Sequence, residues 1–183
     1  MKEGEPIGVR RAEELARQFD RSFAEPVRTI ADESENLLAL RAGRDDVLVR
    51  LAETKGLVGK PVIVPLPGPV PELLGIAGLR GSLVPIYSLA ALLGQTAPDE
   101  VPGWVILVEA DGLVGLAFEE LAGYVQVHRR EIASLPPDDG RGSGTGVREA
   151  ARMNDGLRGI ISVPSLVAAL KQRVGGVGAH KED

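Results

Sequence analysis

Cysteine is missing from all 183 positions. Its absence excludes disulfides, thiolate catalysis, zinc–thiolate sites and iron–sulfur clusters together. Aromatic residues make up only 3%: Phe19, Phe23, Tyr87, Trp104, Phe118 and Tyr124. An interior must therefore be built from Val, Leu, Ile and Ala, which the 44% hydrophobic content supplies and which suits strands with β-branched faces. An excess of positive charge is also lacking, since the net charge is −5. Nucleic acids select clustered Lys and Arg, and single strands select exposed aromatics as well, so no nucleic-acid partner is expected. No apolar run approaches the ~20 residues of a membrane span. The opening "MKEGEPIGVRRAEELARQFD" is too charged for a signal peptide. The expectation is a cytoplasmic chain with no direct membrane insertion.

Residues 1–35 read differently from the rest. Ala12, Leu15, Ala16, Phe19 and Phe23 recur at helical spacing on one face, with charged residues opposite and a stop near Pro26. This amphipathic helix either packs on the body of the protein or docks in a partner's groove through Leu15, Phe19 and Phe23. From Asn36 onward the pattern is one of short strands. "LLALRAG" and "DVLVRLA" form a hairpin signal, with Val47, Val49 and Leu51 sharing a face. "KPVIVPL" aligns Val62, Val64 and Leu66, and its prolines assign it to a sheet edge. "SLVPIY" predicts a strand and "SLAALLG" a helical turn, with Ser88 as N-cap and Gly94 as stop. "WVILVEADGLVGLAF" predicts a hairpin whose Asp111-Gly112 suits a type I′ turn. "GYVQVHR" and "GIISV" predict further strands, and "PSLVAALKQR" a closing helix with Pro164 in its first turn. The sum is an all-β barrel or sandwich.

No catalytic, cofactor or metal site emerges. His128 and His180 have no further ligands at spacings such as H-x3-H or H-E-x-x-H. "GRGSGTG" at 140–146 has neither the strand before it nor the Lys within it that a phosphate loop needs; a flexible loop accounts for its glycines, and a small nucleotide-binding protein is the alternative. Glu119 and Glu120 adjoin on a strand and point apart, and Asp99 and Glu100 read as a solvated pair.

One stretch stands out. "GIAGLRGSLVPIYSLAALLG" resembles the signature of the CheW-type coupling domain of bacterial chemotaxis, and "NLLALRAGRDDVLVRLAETKGL", "PLPGPVPELLG", "VILVEADGLVGLAFEELAGYVQV" and "NDGLRGIISVPSLVAAL" follow the family's order. The resemblance implies two five-stranded SH3-like β-barrels with interleaved chain over residues 36–173 and a closing C-terminal helix; the residues themselves add a helical extension and linker at 1–35, extra to the family, and a disordered tail at 174–183. It implies a non-catalytic adaptor, without cofactors, at membrane-associated arrays. Its partners would be the regulatory domain of a CheA-type histidine kinase and the cytoplasmic tip of chemoreceptors, met through Arg80, Gly56, Thr54, Leu79 and Gly81. An accessory or competing adaptor that binds only one partner is the alternative.

The family's Glu after the opening hairpin falls at Gly56, which takes away an internal acidic partner for Arg80 and one contact for a receptor. The acidic position of the central hairpin is Glu119, and the final strand's Asp matches Ser162 or Val163. Two readings of Arg80 follow. It hydrogen-bonds loop carbonyls while Gly75, Gly78 and Gly81 supply unusual φ angles, or it offers a charged fork to a partner's carboxylate. Leu79, Leu83 and Ile86 are expected in the core.

Overall fold

A computed structural model describes residues 33–67, 70–96, 102–135 and 146–177, with side chains as far as 173; from Ser34 on, the chain forms one compact unit. The expected helix with Leu15, Phe19 and Phe23, the carboxylates of Asp99 and Glu100, the loop up to residue 145 and His180 lie outside the described residues.

Strands dominate. In chain order they are β1 (Ser34–Ala42), β2 (Asp45–Arg50), β3 (Gly56–Gly59), β4 (Val64–Pro65), β5 (Leu73–Leu79), β6 (Ser82–Ser88), β7 (Trp104–Glu109), β8 (Leu113–Phe118), β9 (Glu120–His128), β10 (Ile132–Ser134), β11 (Val147–Met153) and β12 (Gly156–Ile161). They form two six-stranded sheets, where the resemblance implied five strands each. The first runs β10-β11-β12-β2-β1-β9 and the second β3-β7-β8-β6-β5-β4. The second is thus inserted whole between the two chain segments that make the first.

Three apolar clusters explain why the sheets hold together. In the second sheet, Ala77, Val84, Ile86, Val105, Leu107 and Ala117 form a core that Val58 of β3 and Ile63 beside β4 both join. Those are the two edges of that sheet, so it curls around this core. The first sheet does likewise: Val125 and Val127 of β9 and Ile132 of β10, again opposite edges, meet on Leu37, Leu48 and Ile160. The third cluster lies between the sheets, where Leu40, Val47 and Val49 face Ile106, Leu116 and Phe118, with Leu166 and Leu170 of the closing helix.

Local chemistry sets the helices. α1 (Leu89–Leu92) begins at Ser88, whose Oγ accepts from the Ala91 N–H at 3.2 Å, as an N-cap should. α2 (Val163–Val177) starts at Ser162, whose Oγ receives the Ser165 N–H at 3.4 Å. Pro164 is in its first turn, as expected, and the helix runs on past residue 173 to Val177.

Several expectations need correction. Leu51 is not in β2 but opens a 3-10 turn, Leu51–Glu53, and is exposed. In "KPVIVPL" only Val64–Pro65 pairs, at the sheet edge; the flanking prolines offer no N–H to extend the ladder. Val62, Val64 and Leu66 are left at 82%, 56% and 41% exposure, so that row faces outward. The β7–β8 connection is a three-residue loop between paired Glu109 and Leu113, and of Asp111 and Gly112 only Gly112 has positive φ. A type I′ turn needs two central residues, both with positive φ, so this is not one; Asp111 Oδ1 accepts from Lys171 Nζ of α2 at 2.7 Å.

Candidate docking site

The β5–β6 hairpin carries Arg80 at its tip. Leu79 pairs with Ser82, which leaves Arg80-Gly81 as a two-residue turn. Both have positive φ, +52° and +77°, the signature of a type I′ turn. Gly81 takes this conformation freely; an arginine does so at a cost of the order of 1 kcal/mol. Gly78 needs no unusual φ and lies in the strand, which corrects one part of the expected glycine set. Gly75 is different: a Cβ there would stand 2.0 Å from the Val64 carbonyl oxygen, so the approach of β4 to β5 requires glycine.

From this tip the guanidinium reaches across to β3. A side chain at Gly56 would begin 2.5 Å from Arg80 Nη2 and 3.3 Å from its Cζ. Arg80 and Gly56, paired by the sequence argument, are therefore adjacent in space. No carboxylate lies within 4.0 Å of the Arg80 guanidinium, and no carbonyl accepts from it, among the described residues. The loop-brace reading of Arg80 thus finds no bond there.

The other expected members play structural parts. The Thr54 hydroxyl donates to the Leu51 carbonyl at 2.8 Å and closes the 3-10 turn. Leu79 packs against the core of the second sheet, and Ile86 is fully buried in it. Leu83, expected in the core, is 74% exposed. It pairs with Gly78 on the outer face, while its neighbour Val84 pairs with Ala77 on the inner one. The acidic Glu119 is committed to the β1–β2 turn, its Oε2 accepting from the Gly43 N–H at 2.6 Å. Ser162, one candidate for the final strand's Asp, caps α2. His128 lies half-exposed in β9 with Nδ1 3.4 Å from Ser34 Oγ.

A second ionic centre had no signal in the sequence. Arg50 Nε is 2.7 Å from Glu35, its Nη2 2.6 Å from Glu149 and its Nη1 3.9 Å from Glu53. Partial burial pulls its pKa down, but the bonds and charges of Glu149 and Glu35 outweigh that and raise it. Glu53 also turns its Oε2 to the Val163 N–H of α2 at 2.8 Å. Beside it opens a cavity of about 480 Å³ lined by Glu35, Arg50, Leu51 and Arg129. Among the described residues no group of three His, Asp or Glu side chains could hold a metal ion, and no helix is long and apolar enough to cross a membrane.

Comparison with known proteins bears on this arrangement. A family model described as "CheW-like domain" matches residues 36–171. The chain is similar to the "Chemotaxis protein CheW" of Rhizobium meliloti, 28% identical over 102 residues, which is 55% of this chain and 66% of that protein. The aligned part is thus just under two thirds of that relative's length. It is also similar to the "Probable chemotaxis protein CheW" of Rhizobium etli, 29% identical over 112 residues, covering 60% of this chain and 72% of the relative. The crystal structure of the scaffolding protein TtCheW from Thermoanaerobacter tengcongensis superposes with a TM-score of 0.62 at 19% identity, over 70% of this chain and 89% of that one; at that identity it speaks for the fold. With the family model reaching from β1 into α2 and enclosing both sheets and the Arg80 hairpin, the chain belongs to the CheW-like domain family.

Proposed function

We propose that this protein is a non-catalytic adaptor of a bacterial chemosensory array, joining chemoreceptors to a CheA-type histidine kinase by protein–protein contacts. The observation that carries the reading is the family match across residues 36–171. The exposed Arg80, with no internal carboxylate partner among the described residues, supports contact at the β5–β6 hairpin. An adaptor transmits a signal only through contacts that differ between two states of its partners, so its surfaces rather than its cavities do the work.

The test is a titration of the full chain with the regulatory domain of the kinase, and separately with the receptor's cytoplasmic hairpin. Micromolar binding of the kinase domain is the expected result; no binding at several hundred micromolar would sink the adaptor reading. The absence of a side chain at Gly56 favours a second reading, an accessory adaptor that holds one partner only. Similar affinity for kinase and receptor would dispose of it.

A further inference from the structure

α2 crosses the seam between the two sheets, and its two halves are held differently. It follows β12 of the first sheet, and its start is fixed there. The Val163 N–H donates to Glu53 Oε2 at 2.8 Å and the Ser165 N–H to Ser162 Oγ at 3.4 Å. Val163, Leu166 and Val167 are all buried in the cluster between the sheets. From Ala168 to Arg173 only Leu170 is buried.

Two ion pairs join Leu170 in holding this second half, and both carboxylates sit in loops of the second sheet. Lys171 Nζ lies 2.7 Å from Asp111 Oδ1 in the β7–β8 loop. Arg173 pairs with Glu72 in the turn leading into β5. Glu72 is buried, and its carbonyl accepts the Ser88 N–H at 2.8 Å, which ties it to the end of β6. A cavity of about 330 Å³ adjoins the helix, lined by Val167, Ala168 and Lys171 and by Glu109 and Ala110 at the end of β7. Beyond Arg173 the helix runs into Gly175 and Gly176, the poorest helix formers after proline.

From this we infer that α2 from Ala168 onward is a latch, closed on Asp111 and Glu72 of the second sheet and able to open by itself while the capped first half stays in place. Closed, it bridges the sheets. Open, it lifts Leu170 out of their shared cluster and widens the cavity beside it. The last turn of a helix has the fewest internal bonds to lose; the glycine pair lowers the cost of unzipping it, and the ion pairs raise that cost. The latch goes beyond the adaptor reading and does not depend on it. For an adaptor it supplies an element with two arrangements that a contact elsewhere can bias. The Asp111 side chain is 83% exposed, so a contact that takes it from Lys171 favours the open arrangement.

The experiment is native-state amide exchange of the full chain, followed through rising denaturant well below the unfolding midpoint. The amides of Leu170–Arg173 should exchange about tenfold or more faster than those of Val105–Val108 in β7. Their denaturant slope should be much shallower, because the opening exposes little surface. Glu72→Gln and Asp111→Asn should each speed the Leu170–Arg173 amides by about twofold or more and leave that slope shallow. Added salt should speed them in wild type and less so in Asp111→Asn, since that pair is exposed and screened. Each variant should melt within a few degrees of wild type. If Leu170–Arg173 share the rate and slope of β7, α2 leaves only when the whole unit unfolds and the inference fails. It fails equally if the rates there are unchanged in both variants, because the ion pairs then hold nothing shut. Neither outcome touches the adaptor reading, which the kinase titration decides.

Discussion

Arg80 occupies the first central position of a type I′ turn, where Asn, Asp or Gly is the ordinary choice because both residues need positive φ. The backbone strain is uncompensated by any side-chain bond among the described residues, which fits a residue kept for an external contact. Arg80→Asn should therefore stabilise the protein by up to about 1 kcal/mol while lowering partner affinity. That corresponds to a rise in melting temperature of roughly 2–4 °C for a chain of this size. Thermal melts with paired binding titrations would measure both. A variant less stable than wild type would mean that the guanidinium braces the fold. The sequence placed Arg80 beside Gly56 only through the family resemblance, and it missed the strain. Turn type depends on the pairing of Leu79 with Ser82, which no residue count in "GLRGSL" reveals. Leu83 was misplaced for a related reason: a one-residue change of register swaps the faces of a strand, and apolar character alone does not say which face is inside.

At the level of elements, the helix signals were the most legible. Ser88 and Gly94 bracket α1 as their types predict, because capping depends on residues three or four apart. β11 was invisible: "VREAARM" is broken by a register shift between Val147 and Glu149, so neither face alternates cleanly. The clamp on α2 was invisible too, because Arg50 gathers Glu35 and Glu149 from 15 and 99 residues away. This clamp ties β1, β2, β11 and, through Glu53, the first N–H of α2. Glu53→Ala removes a cap and should cost about 1 kcal/mol. Arg50→Gln should cost more, roughly 2–4 kcal/mol, because it leaves three partly buried carboxylates facing each other without their cation. Chemical denaturation of the two variants would rank them. If Arg50→Gln proved the milder change, the carboxylates would be held apart by something other than the guanidinium.

The whole molecule is shaped by insertion. β1 pairs with β9 although Ser34 and His128 are 94 positions apart, and the entire second sheet lies between them in sequence. Pairing β1 with β9 closes a loop that contains the whole second sheet, so this long-range pairing carries a loop-closure cost. The inter-sheet cluster couples the two further, since Phe118 of the second sheet is fully buried against residues of the first. The described unit should therefore unfold in one step. Trp104, half-buried at the edge of the shared cluster, reports the second sheet by fluorescence, and amide exchange in β1 and β2 reports the first. Their midpoints should coincide in denaturant, and Phe118→Ala should lower both together by about 3–5 kcal/mol. Two separated midpoints in the wild type would show that the shared cluster does not bind the sheets into one cooperative body. Arg80 on one sheet would then report on its partner independently of the clamp on the other.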